Sequence, residues 1–133
     1  MRTLAPLGEP GRYGLATDLY ELTMGAAYFQ AGMASAIGTF ELFVRQLPPH
    51  RKFLVLAGLE QAVEFLLAVR FDGHSIDYLR ALPVFSHAGP GFWEYLAAFR
   101  FRGDVHAIPE GTVVFAREPL LQVRSPIIEA QLV

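Results

Sequence analysis

Hydrophobic and polar positions recur along this chain with two different periods, and the switches between them mark its elements. Over Thr17–Gly32 the period is helical: Leu19, Leu22, Ala26 and Phe29 share one side, while Tyr20, Met24, Ala27 and Tyr28 line another. Thr17 or Asp18 can serve as N-cap. Asp18 and Glu21 have the spacing of a capping box, and both acids suit the positive end of the helix dipole. Gly32 offers the positive φ that often follows a last helical turn. No other charge lies between Thr17 and Ala31, so the helix is apolar nearly all round. Such a helix is normally buried on all sides. One face can pack on the chain's own sheet, and the other needs a second partner.

Downstream the period shortens. Ala36–Leu47 alternates Ile37, Thr39, Glu41, Phe43 and Arg45 with Gly38, Phe40, Leu42 and Val44, which predicts a strand ended by Pro48-Pro49. Phe53–Ala57 is a short apolar run suited to a buried strand. Gly58–Val69 returns to helical spacing, with Leu59, Val63, Leu66 and Leu67 inward and Glu60, Gln61 and Glu64 outward. Ser75 is placed to cap a short helix holding Ile76, Leu79 and Leu82, stopped at Pro83. His87–Gly91 reads as a loop, and Phe92, Tyr95, Leu96 and Phe99 form one face of a fourth helix. Asp104–Ile108, Thr112–Ala116 and Leu120–Arg124 are short strands separated by Pro109-Glu110-Gly111, which fits a tight hairpin, and Arg117-Glu118-Pro119. Ser125 as N-cap and Pro126 at the first helical position then open a helix through Ile127–Val133, which carries no C-cap signal. The fold class is α+β, helices on a mainly antiparallel sheet.

Composition changes the picture at one point. The chain is one domain long at 133 residues, yet 53% of it is hydrophobic and only 18% charged, with a mean hydropathy of +0.32. That is more apolar residue than a single small domain hides, and it implies a large interface with another subunit or with further sequence. Membrane insertion is excluded on run length: stretches such as Phe53–Leu59 fall far short of the roughly 20 residues a spanning helix needs. Met1–Gly14 has no apolar signal core and reads as a flexible tail. Without cysteine there are no disulfides, zinc-thiolate sites or thiol nucleophile, which suits a cytoplasmic protein. A net charge of −2 with scattered basic residues argues against nucleic acid.

Candidate chemistry is sparse. His50, His74, His87 and His106 share no metal-ligand spacing, and neither a phosphate loop nor a nucleophile elbow occurs. Glu41 and Glu110 are candidate acids that also suit a sheet edge and a turn. Arg45 at a strand end either holds a phosphate or carboxylate through its fork of donors or makes a surface ion pair. Tyr20 either stacks on an aromatic ring or joins a core. By residues alone the chain carries no complete active site and no metal site.

Thr17-Asp18-Leu19-Tyr20-Glu21-Leu22-Thr23-Met24 resembles the opening signature of nicotinate phosphoribosyltransferases. Later landmarks follow in the same order: Phe40-Glu41-Leu42-Phe43-Val44-Arg45, Ala57-Gly58-Leu59-Glu60, Gly103-Asp104-Val105, Pro109-Glu110-Gly111 and Glu129-Ala130-Gln131-Leu132. The resemblance runs from about residue 15 to the last residue. It implies an enzyme of NAD salvage that joins nicotinate to phosphoribosyl pyrophosphate (PRPP), coupled to ATP hydrolysis through a phosphorylated histidine and using Mg²⁺. It also implies the N-terminal α+β domain of a type II phosphoribosyltransferase spanning 15–124, with 125–133 as the first helix of a missing α/β barrel. In such dimers the N-terminal domain of one subunit covers the barrel mouth of the other. By position Tyr20 matches a tyrosine that contacts nicotinate across the dimer interface, and Arg45 a strand-end arginine of the active-site rim. Gln46 stands where many relatives carry a second basic residue. The phosphorylated histidine and the main substrate contacts would lie in the barrel, so the resemblance assigns no catalytic residue to this chain and implies that it is inactive alone. A quinolinate or nicotinamide phosphoribosyltransferase and a non-catalytic module docking on a separate barrel subunit are the alternatives.

Overall fold

The computed structural model describes residues 10–133. Residues 1–9, most of the stretch expected to be a tail, lie outside the described residues. The expectation does not hold for the rest of that stretch: Pro10–Leu15 form a 3₁₀ helix, and Tyr13 is buried in the core. Gly14 there donates its N–H to the Arg70 carbonyl at 3.0 Å. A Cβ at Gly14 would sit 2.5 Å from a Phe71 ring atom, so only glycine permits this approach.

Helix α1 spans Leu19–Gln30. Its expected terminator holds: Gly32 has φ +70°, Gly32 N–H donates to the Phe29 carbonyl at 3.1 Å, and Met33 N–H to the Tyr28 carbonyl at 2.9 Å. These are the paired bonds of a Schellman motif. The capping box does not form. Asp18 is the N-cap residue but makes no side-chain cap bond, since the Glu21 N–H donates to the Asp18 backbone carbonyl at 3.1 Å, and the Glu21 carboxylate accepts from Gln131 Nε2 rather than reaching back to Asp18. Nor does α1 lie on the sheet. Its buried face (Leu22, Gly25 and Ala26) packs chiefly on α5 (Ile127–Leu132) and on α4 (Pro90–Ala97). At Gly25 the missing side chain lets Ile128 and Leu132 approach.

The sheet is antiparallel with order β1 (Ile37–Phe43), β5 (Pro119–Pro126), β3 (Asp104–Ala107), so the longest of the three strands is central. Between β1 and β5 the register slips once: Leu42 faces Leu121, but Phe43 faces Pro119, leaving Leu120 as a bulge. A separate two-stranded ladder pairs β2 (Leu54–Val55) with β4 (Val113–Val114). Thus Gly111, at φ +79°, does not close a hairpin between neighbouring strands; it turns the chain from one sheet to the other.

Two further boundaries differ from expectation. Helix α3 (Gly73–Arg80) is capped by Asp72, whose carboxylate accepts from Ser75 N–H at 2.7 Å, while Ser75 itself is buried inside the helix. An acid at Asp72 outcompetes Ser75 because it reaches the third amide and answers the helix dipole. At the other end β5 runs through Ser125, which is buried and caps nothing; the chain passes from strand to α5 at Pro126, held by Ile127 N–H donating to the Ala36 carbonyl at 2.6 Å.

The core lies among the helices. Leu79, Phe85, Phe92, Trp93, Leu96 and Phe99 are buried with Leu22 and Ile128. Their rings meet in tilted and edge-on pairs such as Phe85–Trp93, with centroids 5.6 Å apart. Helix α2 (Leu59–Ala68) behaves otherwise than its stripe predicts. Leu66 is buried, but Val63 is exposed and Leu67 is 73% exposed. Phe65 turns toward Tyr13 (centroids 6.2 Å apart), and a cleft of about 400 Å³ lined by Phe40, Leu42, Leu121, Val123, Phe65 and Leu66 separates α2 from the sheet. The stripe is therefore split between the 3₁₀ helix and open space.

Candidate functional site

Tyr20 stands on the outer face of α1 at 58% exposure, with Leu19 and Met24 also exposed beside it. Its side chain is free because the helix is anchored from the opposite face through Leu22, Gly25 and Ala26. The phenol is held above its ordinary value chiefly by hydrogen bonding to the Glu21 side chain and by that carboxylate's charge; slight desolvation and Asp18 add to this, and Arg45 opposes it. The ring is consequently neutral at physiological pH.

Arg45 follows the end of β1 and is exposed. It lines an open groove of about 560 Å³ together with Glu41, Phe43 and Arg117. The last of these comes from the turn before β5, where Arg117 N–H donates to the Val44 carbonyl at 2.8 Å. Arg117 has φ +68°, a left-handed conformation that costs a residue with a Cβ roughly 1–2 kcal/mol. Nothing in the sequence singles out Arg117 except its place in a turn ahead of a proline. Its approach to Arg45 depends on β1–β5 pairing, which is a contact between distant segments.

The two candidate acids have structural partners. Glu41 accepts from Gln122 Nε2 at 2.8 Å across the β1–β5 pair. Glu110 accepts from Gly58 N–H at 2.9 Å and Leu59 N–H at 2.8 Å, closing the amino end of α2, which lacks a side-chain cap of its own. The four histidines are exposed and dispersed over a turn, α3, a loop and β3. Among the described residues no group of three His, Cys, Asp or Glu side chains is placed to hold a metal ion.

A buried charge went unread in the sequence. Glu129, the one acid in the Ile127–Val133 run, is fully buried, and Arg102 is its partner. Nearby, the Tyr95 hydroxyl is buried with no hydrogen-bond partner among the described residues.

Among the described residues no helix is long and apolar enough to cross a membrane. Residues 15–133 match the family profile described as nicotinate phosphoribosyltransferase (NAPRTase) N-terminal domain. The nicotinate phosphoribosyltransferase pncB2 of Mycobacterium tuberculosis is 53% identical over 119 residues, covering 90% of this chain and 25% of the relative. The Bos taurus nicotinate phosphoribosyltransferase is 41% identical over 129 residues, covering 96% of this chain and 24% of its own length. The crystal structure of human nicotinic acid phosphoribosyltransferase superposes with a TM-score of 0.78 at 38% identity, covering 87% of this chain and 23% of that one. Nicotinate-nucleotide pyrophosphorylase from Pyrococcus furiosus shares the fold alone, with a TM-score of 0.63 at 18% identity. The chain thus spans about a quarter of the length of the relatives it matches. It belongs to the nicotinate phosphoribosyltransferase family, as the N-terminal domain of that architecture.

Proposed function

We propose that this chain is the N-terminal part of a nicotinate phosphoribosyltransferase, which converts nicotinate, PRPP and ATP to nicotinate mononucleotide in NAD salvage. Within that enzyme the domain caps the barrel mouth of a neighbouring subunit in a homodimer. Tyr20 contacts the nicotinate ring there, and Arg45 lies on the rim facing anionic groups. The observation that carries this reading is the open Tyr20 face: a neutral, exposed aromatic ring with Leu19 and Met24 also exposed, on a helix whose other side is anchored in the core. A flat amphipathic ring suits an electron-poor pyridine, and a rigid helix holds it at little entropic cost. The described residues offer no acidic ligand set for Mg²⁺. In this reading Mg²⁺ and ATP act in the whole enzyme, and the chain alone makes no nicotinate mononucleotide.

The test joins Val133 to the remaining part of the Mycobacterium tuberculosis pncB2 enzyme and measures nicotinate mononucleotide formed from nicotinate, PRPP and ATP. Product from the joined protein and none from the 133-residue chain is the expected result. A folded but inactive joined protein, or product from the chain by itself, would overturn it.

A further inference from the structure

We infer that the cleft between α2 and the sheet is a binding site for an organic cation, a single positive charge carried on an apolar body such as a phenylalkyl chain. The inference goes beyond the proposed reading and does not depend on it.

The cleft exists because α2 does not close on the sheet. Phe40 pairs with Val123 and Leu42 with Leu121, so these four side chains share one face of the β1–β5 pair. Phe65 and Leu66 of α2 line the other wall. The space of about 400 Å³ is the size of a small-molecule site, and its walls favour an aromatic or alkyl group over water.

Charge selects the head group. Glu21 lines the cleft, and an adjoining groove, which shares Glu21, Phe65 and Val133 with it, adds Asp18. No lysine, arginine or histidine lines either space. Glu21 accepts from the buried Gln131 amide, a neutral partner. Among the described residues the ion pair present is Arg102–Glu129, so neither Glu21 nor Asp18 is neutralised by a base. Glu41 also reaches the cleft, but it borders the groove of Arg45 and Arg117 as well, and its charge is not counted here. A cation answers Glu21 and Asp18 while its carbon body leaves water, and an anion is repelled. Nicotinate and PRPP are anions, so the cleft does not select them.

The probes are 4-phenylbutylammonium, 4-phenylbutanol and 4-phenylbutyrate, which share one carbon skeleton and differ in the charge of the head. Each is titrated by calorimetry into the 133-residue chain. The ammonium should bind saturably, about tenfold more tightly than the alcohol and less so as salt rises, and the carboxylate should not bind. Glu21→Gln should bring the ammonium down to the affinity of the alcohol and leave the alcohol unchanged. Asp18→Asn, at a cap residue whose side chain makes no cap bond, should weaken the ammonium about threefold in a folded chain. Ala62→Phe fills the cleft from α2 and should abolish binding of ammonium and alcohol alike, with the fold checked by circular dichroism. Should that variant unfold, the two acid variants decide. Absence of binding, equal affinity for the three probes, or wild-type affinity for the ammonium in Glu21→Gln and Asp18→Asn would overturn the inference. Affinity that falls as chain concentration rises would give the cleft to a second copy, and binding lost in the joined enzyme would give it to the rest of that polypeptide; either result would overturn it too.

Discussion

Arg102 holds Glu129 through three donors: its backbone N–H reaches Oε2 at 2.7 Å, while Nε and one terminal nitrogen reach Oε1 at 3.1 and 2.8 Å. The carboxylate is out of water and the guanidinium largely in it. The bonding holds Arg102 above its ordinary value, first through the hydrogen bonds and then through the Glu129 charge. This clamp fastens the segment before β3 to α5.

Arg102→Ala should therefore destabilise the fold. Removing one partner of a buried pair strands the other charge, but the backbone donor remains and water can enter from the exposed side. A loss of about 2 kcal/mol is expected, below that of a fully buried pair. Arg102→Lys should recover only part of it, since a point charge does not replace the fork. Urea unfolding midpoints measure both.

Tyr95 gives a pH dependence. Burial, then the Glu129 charge, hold its phenol above the ordinary 10.0, with Arg102 opposing. The native state thus keeps this proton more tightly than the unfolded chain does. The contribution to stability is complete below pH 10 or so and is lost as pH rises through the raised native value. Tyr95→Phe should flatten that alkaline decline. At neutral pH it should be neutral or stabilising by about 1 kcal/mol, because the buried hydroxyl has no partner among the described residues. Unfolding curves at neutral and strongly alkaline pH decide it; a large neutral-pH loss would mean the hydroxyl is bonded.

Gly103→Ala tests the approach of two segments. A Cβ there would lie 2.4 Å from the Ser125 Cβ and 2.7 Å from the Arg124 carbonyl oxygen, on the central strand. A loss of about 3 kcal/mol is expected from the forced displacement. Gly73→Ala, where nothing lies within 4 Å, is the control and should cost nothing.

Tyr20→Ala separates site from scaffold. In the enzyme joined to a barrel it should raise nicotinate KM or lower turnover at least about fivefold, as expected for losing one aromatic contact. Stability should be unchanged, since the ring is exposed. Unchanged nicotinate kinetics would remove Tyr20 from the site.

Open apolar side chains on α1, β1 and α2, among them Tyr20, Leu42, Phe43 and Leu67, predict self-association of the isolated chain. Burying such area yields about 25 cal/mol per Å². Light scattering should show mass rising with concentration, and Leu67→Arg should reduce it. A monomer at all concentrations would count against a missing partner.

Elements with a local cause were readable from the chain. The α1 repeat and its Gly32 terminator, the alternation of β1, and the Phe92–Leu96 face of α4 each act within a few residues, so their physics is present in the sequence window; the start of α4 at Pro90 falls inside the stretch read as a loop. Caps were less secure, because Asp18, Asp72 and Ser75 each have several amides within reach and the winner is set by what else competes. Glu21 left its local role for Gln131, a residue from the far end of the chain.

Sequence by itself determined the types of the main helices and strands and the excess of apolar surface, because periodicity and composition are properties of neighbours along the chain. Tertiary structure alone decided that α1 packs on α5 rather than on the sheet, that α2 leaves Leu67 in the open, that Glu129 is buried under Arg102, and that Arg117 shares a groove with Arg45. Each of those depends on β5 pairing with β1 and β3 and delivering α5 against α1. Contacts between distant segments are chosen by the competition of whole faces for burial, which no local pattern records.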